Sequence, residues 1–170
     1  NVIYSSVLHG ENMAFSPDSR YLVFPLYYSG SEADVQRGAL LLADLKNLSW
    51  EIIKDEQMPC QKVCFLENGE TAVFGCQEDP LSSLYETTAK GKISLYDPHS
   101  GQCVWQKNLL CQMREGDAAG LLALTAEIDG KERQTILLWY GRSLILLGRD
   151  RGDELWRLTC EEEITGVQPL

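Results

Sequence analysis

No uninterrupted run of about 18 apolar residues occurs in the 170-residue chain, so no stretch reads as a membrane-spanning helix. The opening "NVIYSSVLHGENMAF" has neither the charged start nor the long apolar middle of a secretory signal. It also lacks an initiator Met, and the chain reads as an excerpt or a processed product of something longer. Basic runs are missing too. The densest, "GRDRG", is interrupted by an acid, and the net charge is −10. Phosphate-bearing partners need clustered Lys and Arg, which argues against nucleic acid and anionic membrane as partners.

Histidine is nearly absent, with only His9 and His99. Cys60 and Cys64 are spaced C-x₃-C, but no second pair or His cluster completes a zinc site. Phosphate-loop, H-E-x-x-H and G-x-S-x-G signatures are all missing. The expectation is therefore no catalytic residue, no metal and no cofactor. The chain is also too long and too apolar to need disulfide staples. Four of its six cysteines sit in or beside apolar runs such as "KVCFL" and "LLCQ", where free Cys acts as a small hydrophobe. Free thiols and a reducing, cytoplasmic location follow as expectations.

Helical periodicity is missing as well: apolar residues cluster in runs of four to six, not at 3.6 spacing. What is present is repetition. "GKISLYDPHSGQCVW" and "RSLILLGRDRGDELW" both run from an apolar strand through a Gly turn to a Trp, with Gly101 and Trp105 returning 51 residues later as Gly152 and Trp156. "NMAFSPDSRYLVF" and "KVCFLENGETAVF" place Phe15 over Phe65 and Phe24 over Phe74 at a spacing of 50. Gly38 and Asp44 bracket a third strand as Gly91 and Asp97 do later. Four strands in each repeat of about 50 residues is the arithmetic of a propeller blade. The fold class expected is all-β, a partial β-propeller of about three four-stranded antiparallel blades. The units run over about 11–54, 60–107 and 118–159, with 1–6 and 161–170 as parts of neighbouring blades.

"MAFSPDSRYLVF" resembles the first hairpin of a WD40 repeat, and "GKISLYDPHSGQCVW" resembles its last two strands, with Tyr96-Asp97 in place of Trp-Asp. The G-x-x-x-W endings are also similar to quinoprotein propeller repeats. No Gly-His precedes the hairpins, so the resemblance is to a divergent, WD40-like propeller. It implies about three blades and a non-catalytic binding scaffold. The readings beside it are a sensor or regulatory domain, and a quinoprotein- or lactonase-type enzyme.

The two Gly–Trp pairs are expected to be structural, Gly for positive φ and Trp to cover the blade's apolar face. Phe15, Phe24, Phe65, Phe74, Trp105 and Trp156 are all expected to be buried. The tripeptide Arg151 to Asp153 lies in the same Gly turn and needs no adhesive role. Function is expected in the loops at one end of the blades, which hold twelve acids against three bases. The hairpin turns at the other end hold Arg20, Lys46, Lys131, Arg133, Arg149 and Arg151, and should form a basic pole. Tyr27, Tyr28, Glu78, Asp79, Tyr85 and Glu86 are the candidate partner-binding residues, because aromatics and acids on loops of a rigid scaffold suit protein recognition. The expected partner is a protein, preferably basic. The missing blades are expected from the parent chain or from a second copy.

Overall fold

The computed structural model describes residues 13–29, 36–55, 60–77, 88–112 and 118–168. Its strands form three four-stranded antiparallel sheets and, among the described residues, no helix. Blade 1 orders β1 (Ala14–Phe15), β2 (Tyr21–Ser29), β3 (Gln36–Asp44) and β4 (Ser49–Asp55) side by side. Blade 2 does the same with β5 (Cys60–Phe65), β6 (Thr71–Gln77), β7 (Thr88–Asp97) and β8 (Gln102–Gln112). Blade 3 is built from β9 (Ala119–Ile128), β10 (Lys131–Tyr140), β11 (Ser143–Gly148) and β12 (Glu154–Thr159). This is the all-β, partial β-propeller architecture that the repeats predict.

Turn chemistry makes these hairpins locally. Asp129 (φ 54°) and Gly130 (φ 72°) join β9 to β10, the Asp-Gly pair that a two-residue turn with two positive φ angles selects. Asp18, Asp44 and Asp97 each accept backbone N–H bonds two residues on, from Arg20, Lys46 and His99. Such side-chain bonds hold a turn without help from the rest of the fold.

Alternation along the strands decides what lies between blades. In β5, Val63 and Phe65 face blade 1, whereas Cys64, and Leu66 just after the strand, face blade 3. In β6, Val73 faces blade 1, whereas Ala72, Phe74 and Cys76 face blade 3. Blade 2 is thus apolar on both sides, which is why its strands read as continuous apolar runs and not as alternating ones. The larger core seals blade 2 to blade 3 around Phe74, Ile93, Leu95, Ile136, Leu138 and Tyr140. Phe74 and Tyr140 stack with centroids 5.9 Å apart. A smaller core of Val23, Leu40, Leu42, Val63, Phe65, Val73 and Tyr96 seals blade 1 to blade 2.

Two of the six aromatics expected inside are not there. Phe65 and Phe74 are buried and Trp105 is packed against the larger core, but Phe15 is 61% exposed and Trp156 46%. Phe24 is half-buried. The physical reason is positional. Phe15 and Phe24 lie on the side of blade 1 turned away from blade 2, and Trp156 on the side of blade 3 turned away from blade 2. Phe15 and Phe65 occupy equivalent faces, but only blade 2 has a neighbour on both. Phe24 and Phe74 do not, because the first hairpin turn of blade 1 is one residue longer: Phe15 pairs with Leu22 where Phe65 pairs with Thr71.

Candidate functional site

Of the residues expected to bind a partner, Tyr27 and Tyr28 lie in β2, opposite Gly38 and Arg37 of β3. Their side chains, and Glu78, Asp79, Tyr85 and Glu86 altogether, lie outside the described residues. At the opposite end two of the six bases expected to form a basic pole are paired with acids. Arg20 pairs with Asp44 at 2.8 Å, and Arg149 pairs with Glu70 at 2.7 Å and with Asp150 at 3.2 Å. The acids that shape the turns sit beside the bases, so this end carries mixed charge.

The joint between blades 2 and 3 is built at one turn. Trp105 packs against the larger core beside Leu95 of its own blade, and its ring also lies on the turn of the next one. Trp105 Nε1 donates to the carbonyl of Arg149, and Lys107 Nζ to that of Gly152 at 3.4 Å. Gly152 has φ 65°, and a Cβ there would stand 2.6 Å from the Trp105 ring. Gly is therefore required twice, once for the backbone and once for the space. From the same turn Arg149 reaches back with Nε and Nη2 to both carboxylate oxygens of Glu70, a bidentate pair.

A one-residue bulge puts Trp105 there. Leu95 pairs with Trp105 and Tyr96 with Cys103, so Val104 is the extra residue. β12 repeats the device: Leu146 pairs with Trp156 and Leu147 with Glu154, so Leu155 is extra. β4 has no bulge. There Leu42 pairs with Glu51 and Ala43 with Trp50, which places Trp50 on the opposite face of its sheet, 67% exposed. A shift of one residue reverses the side a strand residue occupies. The Gly–Trp spacing of four in blades 2 and 3, against Leu48–Trp50 in blade 1, is the signal that could have found this from sequence.

The result is two uncovered apolar faces. Blade 1 presents the cross-strand row Phe15, Leu22, Ala43, Trp50, with Phe24, Leu41 and Ile52 beside it. Blade 3 presents Leu146 and Trp156 in one row, in which Leu137 is buried, with Trp139, Leu144 and Leu158 in the next. Trp139 spreads over Gly120, where any Cβ would collide with its ring.

Elsewhere, Cys76 and Cys111 hydrogen-bond across Gly91, whose missing side chain leaves room for Cys111 Sγ. That bond and burial push the Cys111 thiol above the usual range, and burial takes Cys64 to about 12, so both stay protonated. None of the described thiols Cys64, Cys76, Cys103, Cys111 and Cys160 is in a disulfide. Among the described residues no three His, Cys, Asp or Glu side chains converge as metal ligands do. A crevice of about 500 Å³ opens between the turn ends of blades 2 and 3, bordered by Asn68, Arg133, Gln134, Arg149 and Asp153. No helix among the described residues is long and apolar enough to cross a membrane.

No known family model and no curated protein matches the sequence. Among solved structures the chain is similar to an acylaminoacyl peptidase in complex with a chloromethyl ketone, at 13% identity and a TM-score of 0.44. The match covers 82% of this chain and 28% of that one. The Pyrococcus horikoshii acylaminoacyl peptidase matches over the same shares at 13% identity, with a TM-score of 0.43. The β-propeller domain of the Pyrococcus furiosus trilobed protease, described as having an open velcro topology, matches at 10% identity and a TM-score of 0.26. That match covers 96% of this chain and 70% of that one. The chain thus spans 28% of the length of the peptidases it resembles. Its own sheets define it as an all-β chain of three four-stranded propeller blades.

Proposed function

We propose that the chain is a non-catalytic protein-interaction scaffold, a segment of a larger β-propeller working in the cytoplasm. The observation that carries this reading is the pair of uncovered faces, with Phe15, Trp50 and Trp156 between 46% and 67% exposed on a sealed three-blade stack. Aromatic side chains on a rigid frame are the usual anchors of protein interfaces. An enzyme reading has less support, since function resides in convergent polar groups. The inner strands β5 and β9 offer mainly Val63, Cys64, Phe65, Leu121, Leu122 and Leu124.

The loop end bearing Tyr27, Tyr28, Glu78, Asp79, Tyr85 and Glu86 is proposed as the face that selects a basic protein partner. Its test uses a lysine-rich peptide as probe, with association and dissociation followed by interferometry across a salt series. Long-range attraction is screened beyond about 8 Å at physiological ionic strength, so association should slow as salt rises. Glu78→Lys with Asp79→Lys should slow association further, and Tyr85→Ala should speed dissociation. Unchanged rates in both variants would remove the acidic face from the proposal.

A further inference from the structure

Blade 3 ends in a face that the chain has already used once. In blade 2 the residues turned toward blade 3 form the rows Ala72, Leu95, Trp105 and Phe74, Ile93, Lys107, set by register. In blade 3 the rows turned away from blade 2 are Leu137, Leu146, Trp156 and Trp139, Leu144, Leu158. Position for position they correspond, and the bulge before the Trp is shared. Ala72, Phe74, Ile93 and Leu95 are fully buried because blade 3 covers them. Their counterparts Trp139, Leu144 and Leu146 are only half-buried, although Leu137 is buried, and Trp156 and Leu158 in the same rows are 46% and 44% exposed.

The covered joint also states what its occupant must offer. Trp105 needs a turn with Gly at positive φ and a free carbonyl three residues earlier, which Gly152 and Arg149 supply. We infer that the outer face of blade 3 docks one further four-stranded propeller blade whose outer hairpin turn carries a positive-φ glycine, with Trp156 as the anchor. This rests on the scaffold reading and names one partner for it. An unaltered second copy is the wrong occupant. The matching turn residue of blade 1 is Leu48, which holds φ 51° and stands 89% exposed. Its side chain would occupy the space that Trp105 takes over Gly152.

The proposal is tested with a second copy of the chain carrying Leu48→Gly as the probe. Sedimentation velocity over a concentration series compares the wild type, Leu48→Gly, and Leu48→Gly with Trp156→Ala. Far-UV circular dichroism confirms that each is folded, and Trp156→Phe replaces Trp156→Ala if the latter unfolds. The expected result is head-to-tail association at least tenfold tighter for Leu48→Gly than for the wild type, returning to the wild-type level when Trp156 is removed. Association no tighter in Leu48→Gly would overturn the inference. So would equal, Trp156-dependent association of the wild type, which would make an unaltered copy the occupant. Because the lysine-rich peptide is read at the loop end, failure there leaves this result standing, and the reverse.

Discussion

Adding one methyl group at Gly152 and at Gly101 should cost very different amounts, although both glycines hold nearly the same backbone angle. Their φ values are 65° and 66°. Placing Ala in that left-handed region costs about 1–2 kcal/mol at either site. At Gly101 that is the whole cost, since a Cβ there meets nothing within 4 Å. At Gly152 the new Cβ falls 2.6 Å from the Trp105 ring. Trp105 cannot simply retreat, because its Nε1 is bonded to the Arg149 carbonyl and its ring is packed against the larger core. Overpacking a fixed site adds about 1–3 kcal/mol. Gly152→Ala should therefore destabilise the chain by about 2–5 kcal/mol and Gly101→Ala by about 1–2. Urea unfolding followed by far-UV circular dichroism measures both, and coincidence of the curves with tryptophan fluorescence tests two-state behaviour. Repeating Gly152→Ala in a Trp105→Ala background should bring its cost down to that of Gly101→Ala. Equal costs for the two glycines in the parent chain would refute the placement of Trp105 on this turn.

Acid should weaken the hairpin ends in a defined window. The hydrogen bond from Arg20, helped by the Asn47 and Lys46 N–H groups, lowers Asp44 from 3.8 to about 2, and Asp18 and Asp97 move the same way through their own hydrogen bonds. Carboxylates depressed in the folded state stabilise it fully above their unfolded value and lose that contribution as pH falls. Stability should thus decline from 3.8 toward about 2, and Arg20→Gln should flatten that decline; an unchanged acid-unfolding curve would count against the pair. Thiol titration of the native chain should label exposed Cys103 quickly and spare buried Cys64, Cys76 and Cys111, and denatured protein should yield all six thiols. Loss of the fast phase in Cys103→Ser checks the assignment, and a total below six would indicate a disulfide.

The repeat was readable because its signals are local. Asp129-Gly130 specifies a turn whatever surrounds it, and Gly101 and Gly152 mark backbone angles that other residues resist. Burial was readable only where the neighbour is in the chain. Phe65 and Phe15 are equivalent in sequence, yet blade 1 covers the first and leaves the second 61% exposed. Leu48 hid a third case: it adopts φ 51° where the other blades use Gly, so nothing in its identity announces the turn. Trp50 follows its turn residue by two where Trp105 and Trp156 follow theirs by four, which sets it on the opposite face, a displacement that spacing records but residue type does not. The partner to which Trp105 turns could not be read within one repeat, because the contact crosses into the next. Of the six partner-binding candidates, Tyr27 and Tyr28 were expected on a loop and lie in β2, which runs on to Ser29.

The Gly152 turn has a mechanical consequence for the three sheets. It is held from blade 2 by the Trp105 indole, the Lys107 ammonium and the Glu70 carboxylate at once. Gly101, the matching turn of blade 2, is met by no such wedge from blade 1, and the edge contact of Tyr21 on His99 at 5.4 Å stands nearby instead. Within that same seam the hydroxyls of Thr71 and Ser94 are buried without a hydrogen-bond partner among the described residues, a standing cost. Compliance is therefore unequal along the stack. Blade 1 should open from blade 2 before blade 2 opens from blade 3, as local opening follows the weaker seam. A partner that gripped both ends of the chain would feel that difference, since a load applied to blade 1 would be absorbed by flexing while one applied to blade 3 would be transmitted whole.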